Sequence, residues 1–188
     1  MKVRLLDKVI MGIDPGTNIM GYGVIVVGPG GPGYVTMGTI DMRKEKDNFK
    51  KLDTIFTATG QIMDRYQPDY VAIESPFYGK NAQVILKLGR AQGAAITAAL
   101  HRGIPVEEYA PRKAKIAITG IGSASKEQVC NMIRKILNID LSPDYLDATD
   151  ALAIALCHYY QLTAPVKESR SSSGWEKFIM DNPGRIKK

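Results

Sequence analysis

Four carboxylates stand where a folded chain has little use for an unpaired charge. Asp14 ends the apolar run 9–13 and precedes Pro15 and Gly16, and Glu74 ends the run 70–73 and precedes Ser75 and Pro76. Asp147 and Asp150 lead into the apolar stretch 151–156. A buried acid costs free energy unless something cationic neutralises it. Four oxygen donors from three separated segments suit a hard cation, and in particular a pair of Mg2+ ions that keep several waters, with Mn2+ as a substitute. Such a pair stabilises both the attacking and the leaving oxygen in phosphodiester hydrolysis, so the chemistry expected is the cutting of nucleic acid. Taken singly, Asp14 could start a turn, and Asp147 could complement a helix dipole, as Asp144 does on the first turn. Asp150 lies beyond that turn and fits neither role.

The elements that must position these acids follow from periodicity and punctuation. Residues 8–13, 21–27 and 34–40 read as strands, and the glycine- and proline-rich stretch 28–33 joins the second to the third as a hairpin. Asn48 can cap a helix running to about residue 66, with Leu52, Ile55, Phe56, Ile62 and Met63 at helical spacing. A strand over 70–73, a small-residue helix over 81–100 and a strand over 106–109 come next. A short helical piece after Pro111, a helix over 126–137 and a last one capped by Ser142 and Pro143 complete the order. Three antiparallel strands followed by alternating helix and strand predict an α/β domain with a five-stranded mixed sheet flanked by helices, the arrangement of ribonuclease-H-like folds. Functional groups gather at strand ends in such sheets, which is where Asp14 and Glu74 fall. Asp147 and Asp150, three apart, share one face of the final helix and would arrive together.

The 188 residues are enough for one domain with its own core, expected over 1–164, followed by a flexible basic tail over 165–188. That tail carries six basic and three acidic side chains, so the net charge of +6 is weak evidence by itself for a polyanionic partner. Cys130 and Cys157 lack a CxxC spacing and are expected to be reduced thiols of a cytoplasmic protein. No apolar run reaches the length of a bilayer span, so no membrane partner is expected.

Several ordered motifs resemble one family. Gly12, Ile13, Asp14, Pro15 and Gly16 with Gly21 and Gly23, Glu74 with Phe77, Lys80 and Asn81, Lys87 with Gly89, Gly120 with Gly122, and the run 147–153 resemble the RuvC family of Holliday-junction resolvases over about residues 8–160. The resemblance implies that Asp14, Glu74, Asp147 and Asp150 are the metal-binding catalytic acids. It implies paired nicking of opposed strands at four-way junction DNA, in recombination and repair. It also implies a homodimer and, as a further partner, the branch-migration helicase complex of the same pathway.

Residues that would hold and open DNA are sparser. Phe77, beside Lys80, could stack on an unpaired base, and the resemblance favours this over a packing role. Arg112, Lys113, Lys115 and Lys126 flank the loop 120–123, whose glycines would let backbone amides approach phosphate, and the resemblance selects Lys115 and Lys126 among them. His101, at a helix end, is expected to be structural, whereas His158 shares a rough helical face with Asp150 eight residues earlier but, with Asp147 present, need not be a ligand. Gly89 and Gly93 give the helix over 81–100 a small-residue face suited to close approach, either within the fold or across a dimer. Three other classes compete. An actin-like phosphate loop would need a second lobe and a second loop, for which residues 100–188 offer no candidate. A junction-binding module without catalysis has no use for four acids, and ribonuclease H none for the Phe77 loop.

Overall fold

The structure, a computed structural model, describes residues 7–76, 81–140 and 146–164. Its elements are β1 (Lys8–Asp14), β2 (Ile19–Gly28), β3 (Gly31–Asp41), α1 (Asn48–Tyr66), β4 (Tyr70–Glu74), α2 (Ala82–Leu100), β5 (Val106–Tyr109), α3 (Pro111–Thr119), α4 (Lys126–Leu137) and α5 (Leu146–Thr163). One five-stranded sheet runs in the order β3-β2-β1-β4-β5. β2 is antiparallel to β1 and β3, while β4 is parallel to β1 and β5. This is the mixed sheet expected from the order of elements.

Local chemistry moves several boundaries. β2 and β3 extend into the glycine-rich stretch until Gly28 pairs with Gly31, leaving a much shorter turn than the sequence suggested. Pro32 sits opposite Val27 and is tolerated because β3 is an edge strand with one unpaired side. Helix α1 is capped by Asp47 rather than Asn48, since the Asp47 carboxylate accepts from the backbone N–H of Phe49 at 2.7 Å and of Lys50 at 3.3 Å. Asn81 caps α2 in the same way. The cap expected at Ser142 and Pro143, the dipole role of Asp144, Phe77, Lys80 and the tail 165–188 all lie outside the described residues.

Strand alternation divides the core into two faces. Met11, Ile13, Val24, Val71 and Ile73 point toward α1 and α2, where they pack with Ile55, Met63, Ala91, Ala95 and Ala99. Ile10 and Ile25 point the other way, toward α4 and α5, and pack with Val129, Ile133, Leu152 and Leu156. A period of two therefore places Gly12 and Asp14 on the α5 face with Ile10, and Glu74 on that face with Ala72. Cys130 and Cys157 are both free thiols, the latter buried. No helix among the described residues is long and apolar enough to cross a membrane.

Candidate active site

The two strand-borne acids are neighbours by construction. β1 and β4 are parallel with Ile13 opposite Ile73, so the next residue of each strand, Asp14 and Glu74, emerges side by side at the carboxyl end of the sheet. The other two acids arrive on α5, and what brings them close is a patch of sheet without side chains. Gly12 pairs with Gly23, and Asp14 pairs with Gly21. A Cβ placed on Gly12 would lie 2.0 Å from the Ala151 carbonyl oxygen, and one on Gly21 would lie 2.0 Å from that of Asp147. On Gly23 it would come within 2.9 Å of the Leu152 nitrogen. The α5 backbone thus rests directly on the backbone of β1 and β2, and its first turns lie over Asp14.

Asp14, Glu74 and Asp150 line a cavity of about 300 Å³ together with Lys115, Lys126 and Ala114. Asp147 does not line it, yet its charge reaches both Asp14 and Lys126. Burial, reinforced by repulsion from Glu74, Asp150 and Asp147, pushes the Asp14 carboxyl up to about 8. Burial and the Asp150 charge push Glu74 up to about 7, against the pull of Lys126 and Lys115. Among the described residues no three acids close around a single point. Instead Lys126 Nζ donates to Asp150 Oδ2 at 2.5 Å, and that hydrogen bond, with the surrounding acids, raises the lysine pKa. The oxygen donors of Asp14, Glu74 and Asp150 around one cavity are of the type that hard cations take, and a bound cation would relieve the repulsion that raises the pKa values of Asp14 and Glu74.

The placement of Lys126 has its own local cause. Ser125 Oγ accepts from the Gln128 backbone N–H at 3.2 Å, and Gln128 Oε1 accepts from the Ser125 N–H at 2.8 Å, a reciprocal cap that starts α4 at Lys126. A cation on the first helical residue opposes the helix dipole. The acids across the cavity offset that cost. Lys115 also lines the cavity but donates to the Ala124 carbonyl at 2.8 Å, so it holds the loop as well as facing the acids. Arg112 is outside the cavity lining and lies against Gly122, where a Cβ would fall 2.8 Å from its Nε. Gly120 caps α3 with a φ of 75°, a left-handed conformation that explains the glycine without any phosphate.

His158, eight residues after Asp150, is not among the residues lining the cavity. Its Nδ1 is 2.7 Å from the Tyr109 hydroxyl, and its ring is buried against Tyr70. His101 ends α2 and stacks at a tilt on Phe56. Sequence reasoning missed three contributors: the glycines as the seat of α5, the Ser125 and Gln128 cap, and the buried amide of Gln92. The spacing Ser-x-x-Gln is a legible signal for the second.

Known proteins share this fold and sequence. The family model described as "Crossover junction endodeoxyribonuclease RuvC" matches residues 10–158. The chain belongs to the RuvC family. A RuvC-family relative from Bacteroides fragilis, a crossover junction endodeoxyribonuclease, is 52% identical over 183 residues, spanning 96% of this chain and 97% of its own. The solved Thermus thermophilus RuvC structure is 33% identical, superposes with a TM-score of 0.73 and covers 81% of this chain and 95% of its own. The same protein in complex with Holliday junction substrate superposes with a TM-score of 0.73 at 31% identity, covering 82% of this chain and 94% of its own. The RuvC fold is ribonuclease-H-like, as the order of strands and helices predicted, and the family's enzymes are metal-dependent nucleases.

Proposed function

We propose that this RuvC-family resolvase nicks opposed strands of four-way DNA junctions in pairs, with Asp14, Glu74, Asp147 and Asp150 holding two Mg2+ ions for which Mn2+ can substitute. One observation carries this reading: two strand ends and one helix deliver four acids to one end of the sheet, beside a cavity that Lys115 and Lys126 also line. Bound divalent cations supply charge neutralisation at the attacking and leaving oxygens of the phosphodiester. The chain's own groups do the rest. Lys126 and Lys115 make the cavity attractive to a phosphate despite the acids, and Arg112 extends that charge along the loop. Phe77 and Lys80, which lie outside the described residues, serve the opening of the crossover, the aromatic by stacking on an unpaired base at about 1–3 kcal/mol.

The protein works as a homodimer in the cytoplasm, alongside the branch-migration helicase complex of its pathway. Support for the dimer comes from α2, where a Cβ on Gly89 or Gly93 would meet nothing within 4 Å. Among the described residues nothing packs where those Cβ atoms would lie, and the exposed Leu86 and Leu100 flank the face. A two-fold dimer matches two scissile strands.

Purified protein offered a four-way junction, a nicked duplex and an RNA:DNA hybrid should cut the junction with Mg2+ or Mn2+ and cut little with Ca2+. Preference for the hybrid would make it a ribonuclease instead. Phe77→Ala should impair cutting of an intact junction more than of one already unpaired at the crossover. Equal impairment would assign Phe77 to packing.

A further inference from the structure

Helix α2 turns an alanine face to the sheet, with Ala91, Ala95, Ala98 and Ala99 all buried. One long amide interrupts it. Gln92 is 7% exposed, and a buried amide costs free energy unless its hydrogens find acceptors. Its Nε2 donates to the Glu74 main-chain oxygen at 3.3 Å and to Glu108 Oε2 at 3.1 Å. The Ser75 hydroxyl donates to the same Glu108 oxygen at 3.3 Å, and the Ser75 N–H donates to the Tyr109 carbonyl at 2.9 Å.

Every one of these contacts falls at the exit of β4. On its β1 side the paired register stops at Ile13 and Ile73, one residue short of Glu74. On its β5 side Glu74 pairs with Tyr109. The Glu74 peptide thus has sheet support on one flank, and on the other face of the strand it has the Gln92 amide. With its carbonyl held by Gln92 and its strand pairing held by Tyr109, Glu74 has little freedom to turn about its Cα–C bond, and this limits where its Cα–Cβ bond points. We infer that Gln92 is a positioning residue for the reaction: its amide, braced by Glu108 and Ser75, holds the Glu74 peptide so that the carboxylate enters the cavity beside Asp14. Gln92 itself is not among the residues lining the cavity and touches none of the reacting atoms. The inference rests on Glu74 being a catalytic acid.

The test uses the full-length chain, a synthetic four-way junction and enzyme in excess. Single-turnover cutting is measured across a Mg2+ titration, and junction affinity is measured in Ca2+. Gln92→Leu and Gln92→Met keep the side-chain bulk and remove both donated hydrogen bonds, so each should lower the single-turnover rate by about tenfold or more. Junction affinity should stay within about twofold, and half-maximal cutting should need more Mg2+. Glu108→Gln retains an acceptor for Gln92 and should cut nearly as wild type. A packing role would lower thermal stability without moving the Mg2+ requirement. Wild-type rates from both Gln92 variants, a loss of binding that matches the loss of rate, or failure of both variants to fold would overturn the inference. Glu74→Gln is the reference: if it cuts normally, the assignment of Glu74 itself fails, whereas an inactive Glu74→Gln beside active Gln92 variants confines the failure to Gln92.

Discussion

Two sets of glycines in this molecule do opposite things. Gly12, Gly21 and Gly23 face inward and let one helix backbone touch the sheet, whereas a Cβ on Gly89 or Gly93 would meet nothing within 4 Å among the described residues. On the α1 and α2 face, contact with the sheet is made through Ile, Met and Ala side chains. At the acid-bearing end of α5, contact is made through the main chain itself. A small residue therefore has no fixed meaning in sequence; its consequence depends on what its missing Cβ would have met.

The inward set is the place to break this contrast. Gly12→Ala puts a methyl group 2.0 Å from the Ala151 carbonyl, and the obstacle is main chain rather than a side chain able to swing away. Forced overpacking of this kind should cost about 3 kcal/mol or more. Thermal unfolding should show it as a large fall in Tm, with cutting lost. A Gly12→Ala protein of wild-type stability would mean that α5 does not sit on the sheet as described.

A second effect leaves the seat intact and removes one charge from it. Asp150→Asn should reduce junction cutting by about a hundredfold or more, because charge stabilisation at the reacting phosphate is lost. Binding of the junction should persist or tighten slightly, since a negative group near phosphates is gone and Lys126 loses its ion-pair partner. Normal cutting by this variant would sink the assignment of the acid cluster. Lys126→Ala sharpens the same region: junction binding should weaken, with the slope of log affinity against log salt shallower by about one. An unchanged slope would leave the lysine as a partner of Asp150 alone.

The outward set should respond in the opposite sense. Gly89→Ala and Gly93→Ala have room for the methyl group, so each should stabilise the isolated chain by up to about 1 kcal/mol through helix propensity. The same substitutions should weaken self-association in sedimentation experiments. If association is unaffected, the α2 face is not the dimer contact.

The smallest effect expected is in pH. Burial holds the His158 pKa below its ordinary 6.5. The unfolded chain then takes up the proton first as pH falls, so the stability present above the unfolded pKa is lost on going down through it toward the folded one. His158→Gln should flatten the decline of Tm between about pH 7 and pH 5. A decline as steep as in wild type would place the acid sensitivity elsewhere.

Much of this was legible in the chain. Apolar runs ending in acids marked β1 and β4, turn punctuation marked the others, and the order of strands and helices implied the mixed sheet. Alternation along β1 and β4 also decides which face Asp14 and Glu74 take, because Ile10 and Ala72 belong to the α5 side. What stayed hidden was non-local. Nothing near Gly12 in sequence says that the Ala151 carbonyl will lie against it. Asn48 and Asp47 are both good caps, and only the reach of the Asp47 carboxylate to the Phe49 N–H decides between them. A spacing of eight set His158 roughly in line with Asp150, but Tyr109, on a strand far away in sequence, is what it meets.

The borders of the sheet have a consequence for how copies of the chain can meet. β5, at one border, is four residues long and exposes Glu107 and Glu108, so a strand approaching there would find little backbone and two like charges. β3, at the other, is longer, but Pro32 withholds a hydrogen-bond donor near its start, and its register with β2 shifts at Val24 and Ile25. Neither border invites continuous strand addition. If two copies associate as proposed, their sheets need not merge into one, and each carboxyl end of β1 and β4 would stay open to its own strand of DNA.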